Sequence, residues 1–381
     1  MNNSIRFIIY FAAIISFVLP PDIISTGADI SSLPKSSGVV KIGCLFPLTG
    51  KYQSLGNSAL RGVLAAVDAV KKNNYNVQLV IKDFEDDPVK LKKALYELVN
   101  EDNVSMLIGP LPSSYAKDVY TTISTLKIPT LIFPVANDLS PDNPYFIKFS
   151  FPIDIQTQIL VNYANSVVNV DTYGVLYPDT TIGELFKNSF VKVVKSSGKQ
   201  VKHIAAYNTD LSDIETEIEW LSMVAPQGIF IPDTASRSRE IILKLKNKLY
   251  LGNTIFLGIN TWNSGTFMKE LGNKIDADIF RVLFTDFFYP GSKSWIDFNN
   301  LYKSSIGEDP GFLEYEVYLG SKYVMEKVGQ SRGSSATLFS NLLNRGQNED
   351  LNVSKTQYGT VELSPKPVLL TIKDGEIIKI M

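Results

Sequence analysis

Two serines, Ser113 and Ser114, follow the short apolar run Leu107-Ile108 and stand at the start of a helical pattern. Unpaired backbone N–H groups and the positive end of a helix dipole gather at such a point, so the pair suits an anion such as a carboxylate. Serine is also a preferred helix cap, and that reading stands beside the first. A second apolar run, Leu131-Ile132-Phe133, leads into Val135, Ala136 and Asn137, where a ligand can approach backbone donors closely. Catalytic and metal-binding sets are harder to assemble. There is one histidine, His203, and one cysteine, Cys44: too little for a histidine triad or a zinc site, and no partner for an internal disulfide. Thr49-Gly50-Lys51 looks like the end of a phosphate-binding loop, but Leu45 replaces its first glycine and Tyr52 its magnesium-binding hydroxyl. No GxGxxG follows a strand pattern, and Glu85-Asp86-Asp87 reads as a solvated loop before a helix cap rather than a catalytic pair. These absences point to a binder rather than an enzyme, with no cofactor and no metal.

The elements that must position these residues are legible as periodicity. Residues 107–137 read as strand, loop, helix and strand, with Ala116, Val119, Ile123 and Leu126 at helical spacing. Continuous apolar strands of this kind belong to parallel sheets covered on both faces. In such open sheets ligands bind beyond the carboxyl ends of the strands, which is where Ser113 and Val135 fall. The same alternation begins at Val39, with a strand over 39–46, a helix to about 72 and a strand over 77–84. Asp87-Pro88 then reads as an N-cap followed by proline at the first helical position, with Leu91, Leu95, Leu98 and Val99 as the buried stripe. After a strand at 145–150 the pattern starts again, with strands over 173–177, 201–207, 228–231, 254–257 and 280–284. Helical patterns at 295–306, 312–328 and 338–343 follow without strands, then a strand-like tail with a hairpin signal at Asp374-Gly375.

The expected fold is α/β, with two doubly wound, mostly parallel-sheet lobes, the late helices returning to the first. The expected organisation is a signal peptide over 1–28, a linker over 29–38, lobe one from 39–150 plus 287–352, and lobe two from 151–286 plus 353–381. At 45% hydrophobic and 20% charged residues the chain can fill such cores, and a net charge of −2 leaves no footprint for nucleic acid. The apolar run 7–19 behind Arg6 has the length of a signal-peptide core rather than of a membrane span, so export is expected.

Several segments carry a family resemblance. The runs VVKIGCLFPLTGKYQSLGNSALRGVLAAVDAV, IGPLPSSYA, IPTLIFPVAN and YFIKFSFPIDIQTQ, with FLGINTWNS, DFFYP and YGTVEL further on, resemble type I periplasmic binding proteins of the leucine/isoleucine/valine-binding family over almost all of 39–381. The resemblance implies two lobes joined by three crossings that close on a ligand. It implies that Ser113 is a ligand-binding serine, that Val135, Ala136 and Asn137 form the small-residue turn meeting the ligand, and that Tyr52 adds an aromatic lid. On the second lobe it puts Asp233 and Asn260 at strand ends facing the cleft. Two positions depart from the pattern: Asn260 stands where amino-acid binders often have a carboxylate for the ligand's ammonium, and Ile182-Gly183 where they often have Tyr-Gly. Either Asp233 or Asp179 then supplies the charge, or the ligand is not an α-amino acid. The implied function is that of a monomeric periplasmic solute-binding protein that delivers a small polar ligand, an amino acid or related carboxylate, to an ABC permease. The Gly-x-Asn-x-Trp pattern at 258–262 is also similar to penicillin-binding-protein activators, which implies an alternative role as an envelope scaffold acting through protein contacts. Trp262 would then line a pocket, contact a partner or pack between the lobes.

Overall fold

The computed structural model describes residues 39–135, 140–248, 254–264, 267, 281–331, 335–343, 351–373 and 375–381. The expected signal peptide and linker lie outside the described residues, as do Ala136, Asn137 and Asp374.

The chain opens with β1 (Val40–Phe46), α1 (Gln53–Lys72), β2 (Val77–Asp83), α2 (Pro88–Asn100), β3 (Met106–Ile108), α3 (Ala116–Leu126), β4 (Thr130–Ile132) and β5 (Phe146–Phe149). A second series follows: α4 (Ile153–Tyr163), β6 (Thr172–Pro178), α5 (Thr181–Ser196), β7 (Gln200–Tyr207), α6 (Ile214–Val224), β8 (Gly228–Phe230), α7 (Ala235–Lys248), β9 (Ile255–Gly258) and β10 (Arg281–Asp286). The remainder comprises α8 (Lys293–Ile306), α9 (Phe312–Ser331), α10 (Ser335–Leu343), β11 (Leu351–Lys355), β12 (Val361–Pro365), β13 (Val368–Lys373) and β14 (Glu376–Lys379).

Two seven-stranded sheets result, ordered β11-β12-β5-β4-β3-β1-β2 and β14-β13-β10-β9-β8-β6-β7. Ladders are parallel except at one edge of each sheet, where β11 pairs β12, and β13 pairs β10 and β14, antiparallel. The central strands are buried on both faces because their residues alternate between two cores: Ile42, Cys44 and Phe46 of β1 face one, Leu45 the other. The second sheet repeats this, with Leu176 on one side and Val175 on the other. Helices on both faces of a parallel sheet are the arrangement such double burial requires.

The chain passes between the sheets three times: after β5, after β10, and between β12 and β13. Each passage meets a carboxyl end of the parallel strands, so those ends of the two sheets face each other across the crossings. Counting outward from the crossings, β5, β4, β3 and β1 of the first sheet match β10, β9, β8 and β6 of the second.

Local signals hold where geometry is local. Asp87 caps α2, its carboxylate accepting from Val89 N at 2.7 Å and Lys90 N at 3.3 Å, with Pro88 first in the helix. Non-local packing moves other expectations. The buried face of α1 is made of Gly56, Ala59, Gly62, Ala65 and Ala66 as well as Val63, Val67 and Val70, while Leu64 is exposed. The reason is α9, which covers a second side of α1: a Cβ on Gly62 would lie 2.6 Å from the Glu314 carbonyl oxygen. Arg61 reaches Glu314 at 3.0 Å across the same contact and Tyr302 of α8 at 2.9 Å. The tail also divides differently from the expected boundary at 353. β12 adds to the first sheet beside β5 and buries Val361 and Leu363 there, so the change of lobe falls at 366–367.

Candidate functional site

On the first lobe the loops after β1 and β3, and residues 133–135 after β4, lie at the carboxyl ends of the strands. Gly109, at φ +103°, lets the chain turn sharply after β3, and a Cβ there would lie 2.3 Å from the Leu45 carbonyl oxygen. The turn delivers Ser113, 8% exposed, and the exposed Ser114 to a short 3-10 segment ahead of α3. Neither serine caps a helix. Pro112 and Tyr115 occupy the cap positions, and neither makes a side-chain cap bond. Among the described residues, no hydrogen bond engages either serine hydroxyl. Val135, at the end of β4, is exposed.

Tyr52 is half-buried just before α1, with the Lys51 ammonium 4.8 Å from its ring centroid. Its loop is tied to the end of β2 by Asp83, whose carboxylate accepts from Leu48 N at 2.9 Å, Thr49 Oγ1 at 2.7 Å and Glu85 N at 2.8 Å. Partial burial opposes ionisation of Asp83, but these donors outweigh it and hold the carboxyl below its usual range. Tyr115 bridges the rim by hydrogen-bonding Asp86, and this bond, with burial, pushes the phenol up to about 12.

The second lobe presents a network that the sequence reading reached only in part. Asp233, 4% exposed at the end of β8, accepts from Arg237 Nε at 2.6 Å and Nη2 at 2.5 Å, and from the Tyr207 hydroxyl at 2.7 Å. Thr234 N donates to the same carboxylate at 2.6 Å, and Thr261 Oγ1 to the Asp233 carbonyl at 2.6 Å. The carboxylate raises the Arg237 pKa, and burial followed by the Asp233 charge raises that of the Tyr207 phenol. Three strand ends, those of β7, β8 and β9, are thereby locked together. Asp233 is thus already paired with Arg237 within its own lobe. Arg237 and Tyr207 were missed. The Asp-x-x-x-Arg spacing at a helix start was the available signal.

Asp179, at the end of β6, is exposed, and its backbone N–H donates to the Tyr207 carbonyl at 2.9 Å. Asn260 is half-buried in a 3-10 turn after β9. It borders a cavity of about 810 Å³ beside the second crossing, together with Thr261, Asn263, Phe288, Trp295 and Phe312. Asp286, at the end of β10, is fully enclosed and accepts from Asn263 Nδ2 and Phe287 N, both at 2.7 Å. Burial holds its carboxyl well above the usual range.

Trp262 lies elsewhere than a ligand-lining role would put it. It is fully buried in the second lobe, 5.0 Å from Phe267 and 6.3 Å from Phe284 between ring centroids. Its ring occupies the space a side chain on Gly258 would need, since a Cβ there would fall 2.1 Å from the indole. The Gly-x-Asn-x-Trp pattern therefore has a packing cause. Ile182-Gly183 has one too: a Cβ on Gly183 would lie 2.2 Å from the Pro178 carbonyl oxygen. Cys44 is buried in β1, and burial pushes its thiol up to about 12, while His203 pairs with Glu217 at 2.8 Å.

The strand ends thus bring Ser113 and Ser114 (β3) to the same rank as Asp233 and Arg237 (β8), Val135 (β4) to that of Asn260 (β9), and Tyr52 (β1) to that of Asp179 (β6). Comparison with known proteins agrees with this architecture. The chain is 20% identical to Leu/Ile/Val-binding protein homolog 7 of Brucella suis over 357 residues, 88% of each chain. The branched-chain amino acid transporter substrate binding protein LivJ of Streptococcus pneumoniae, solved with isoleucine, superposes with a TM-score of 0.64 at 17% identity, over 90% of this chain and 99% of that one. A solute binding protein of an ABC transporter from Rhodopseudomonas palustris, solved with 3,4-dihydroxy benzoic acid, does so with a TM-score of 0.62 at 17% identity, over 90% and 96%. These structural likenesses carry the fold, and the sequence model of the Periplasmic binding protein family matches residues 39–326, so the chain belongs to that family.

Proposed function

We propose that this protein is the extracytoplasmic solute-binding component of an ABC transporter, capturing a small polar ligand between its lobes and handing it to a membrane permease. The observation that carries the reading is the pairing of strand ends across three crossings, with two unengaged serine hydroxyls on one wall and a polar network on the other. A ligand bridging Ser113 and the second lobe favours the state in which the walls are closer, and by that differential affinity shifts the population towards it. The permease reads the shifted state. The protein acts as a monomer in the periplasm, and no reaction is catalysed. The relatives' ligands frame the solute class as an amino acid or a related carboxylate.

The test is a set of thermal melts of the exported chain against amino acids, their amides, short peptides and organic acids including 3,4-dihydroxy benzoic acid. A ligand present at a hundred times its dissociation constant adds about 2.7 kcal/mol of stability. One clear shift supports solute capture, and silence across every class removes it.

A further inference from the structure

The wall formed by the second lobe carries a guanidinium held in one place. Arg237 lies in the first turn of α7, at the same rank as Ser113, and grips Asp233 with two parallel hydrogen bonds, from Nε at 2.6 Å and Nη2 at 2.5 Å. The carboxylate is fully engaged, since it also accepts from the Tyr207 hydroxyl and Thr234 N. The guanidinium is not. Of its five N–H donors, the two on Nη1 have no partner among the described residues, and the side chain is 31% exposed where that of Asp233 is 3%. A planar fork with a rigid back and an open front is suited to an oxyanion.

Ser113 and Ser114 offer hydroxyl donors, and Asn260 offers a neutral amide. Among the described residues at these ends, Asp233 is neutralised by Arg237, Asp286 is enclosed, and Asp179 is exposed one rank further out. Beside Arg237 an ammonium would meet a second cation, and the nearest carboxylate there, Asp233, is already paired, which is costly. A carboxylate would meet donors from both walls.

We infer that the solute is an organic acid whose carboxylate is held by Arg237 Nη1, with no α-ammonium required, and that Arg237 is the residue that sets this specificity. The inference rests on the solute-binding reading above and names the substrate class of that same cleft.

The experiment is calorimetric titration of the exported chain with matched triplets: L-leucine, isocaproate and leucinamide, then L-phenylalanine, phenylpropionate and phenylalaninamide. These carry both groups, the carboxylate alone and the ammonium alone. The variant is the double substitution Arg237→Gln with Asp233→Asn, which removes the guanidinium without stranding a buried carboxylate, and its melting profile reports that it folds. The expected result is that one or both deaminated acids bind no more weakly than their amino acids and more tightly than the amides. The double variant should then lose about tenfold or more in affinity for the acid while keeping a cooperative melt. Binding of an amino acid with its deaminated analogue weaker overturns this inference alone and leaves solute capture standing. So does a double variant whose affinity for the acid stays within about twofold. Silence from all six compounds overturns this inference, while the broader melt panel separately decides whether any solute is captured.

Discussion

Replacing Arg237 with glutamine isolates the energetic role of the Asp233 network. The substitution removes both hydrogen bonds from the guanidinium and leaves a carboxylate that is 4% exposed without a counter-ion. Breaking a fully buried pair costs about 3–5 kcal/mol. Two features reduce that here: the Arg237 side chain is 31% exposed, so water can enter where it stood, and Tyr207 and Thr234 N still donate to Asp233. We expect about 2–3 kcal/mol. For a lobe of this size that lowers the melting temperature by roughly 2–4 °C per kcal/mol. Denaturation by urea, followed by tryptophan emission, reports the affected lobe because Trp262 is buried in its core. Asp233→Asn and the double variant complete a cycle, and the double variant should regain about 1 kcal/mol or more relative to the sum of the single losses. A single Arg237→Gln variant within about 0.5 kcal/mol of the parent would refute the claim that this pair is a buried, mutually dependent unit.

Three further outcomes follow from the cleft and its supports. Ser113→Ala should leave stability within about 0.5 kcal/mol, because no hydrogen bond among the described residues engages the hydroxyl, yet weaken binding of the solute found in the melt panel by about tenfold on titration. Gly258→Ala puts a Cβ where the Trp262 ring lies and should cost about 1–3 kcal/mol, seen as a lower urea midpoint with shifted tryptophan emission. Asp83 titrates below its ordinary range when folded, so the unfolded chain binds more protons in that window and stability rises with pH through it. Its contribution is present above the ordinary aspartate pKa and fades as pH falls through the depressed value. Asp83→Asn should therefore flatten the acid limb of the stability profile, and an unchanged limb would sink the assignment.

Much of the architecture was legible in the chain because it is local. Apolar runs and helical stripes mark β1 to β10 and most helices, since burial on a fixed face repeats with the backbone's own period. The Asp87-Pro88 start of α2 and the β13–β14 hairpin depend on neighbouring residues alone. Ser113 could be marked as a candidate because strand ends in open α/β sheets are where ligands bind. What tertiary structure decided are the properties that depend on which distant surface arrives. Leu64 is exposed because α9 takes the glycine and alanine side of α1, and Trp262 is a core residue because Gly258 leaves room for its ring. β12 pairs with β5, which no alternation of its own residues could specify. Arg237 sits in a polar first turn of α7 that precedes the apolar stripe beginning at Ile241, so periodicity is silent there. Its pairing with Asp233 leaves Nη1 without a hydrogen-bond partner among the described residues, a matter of how the two side chains meet in three dimensions.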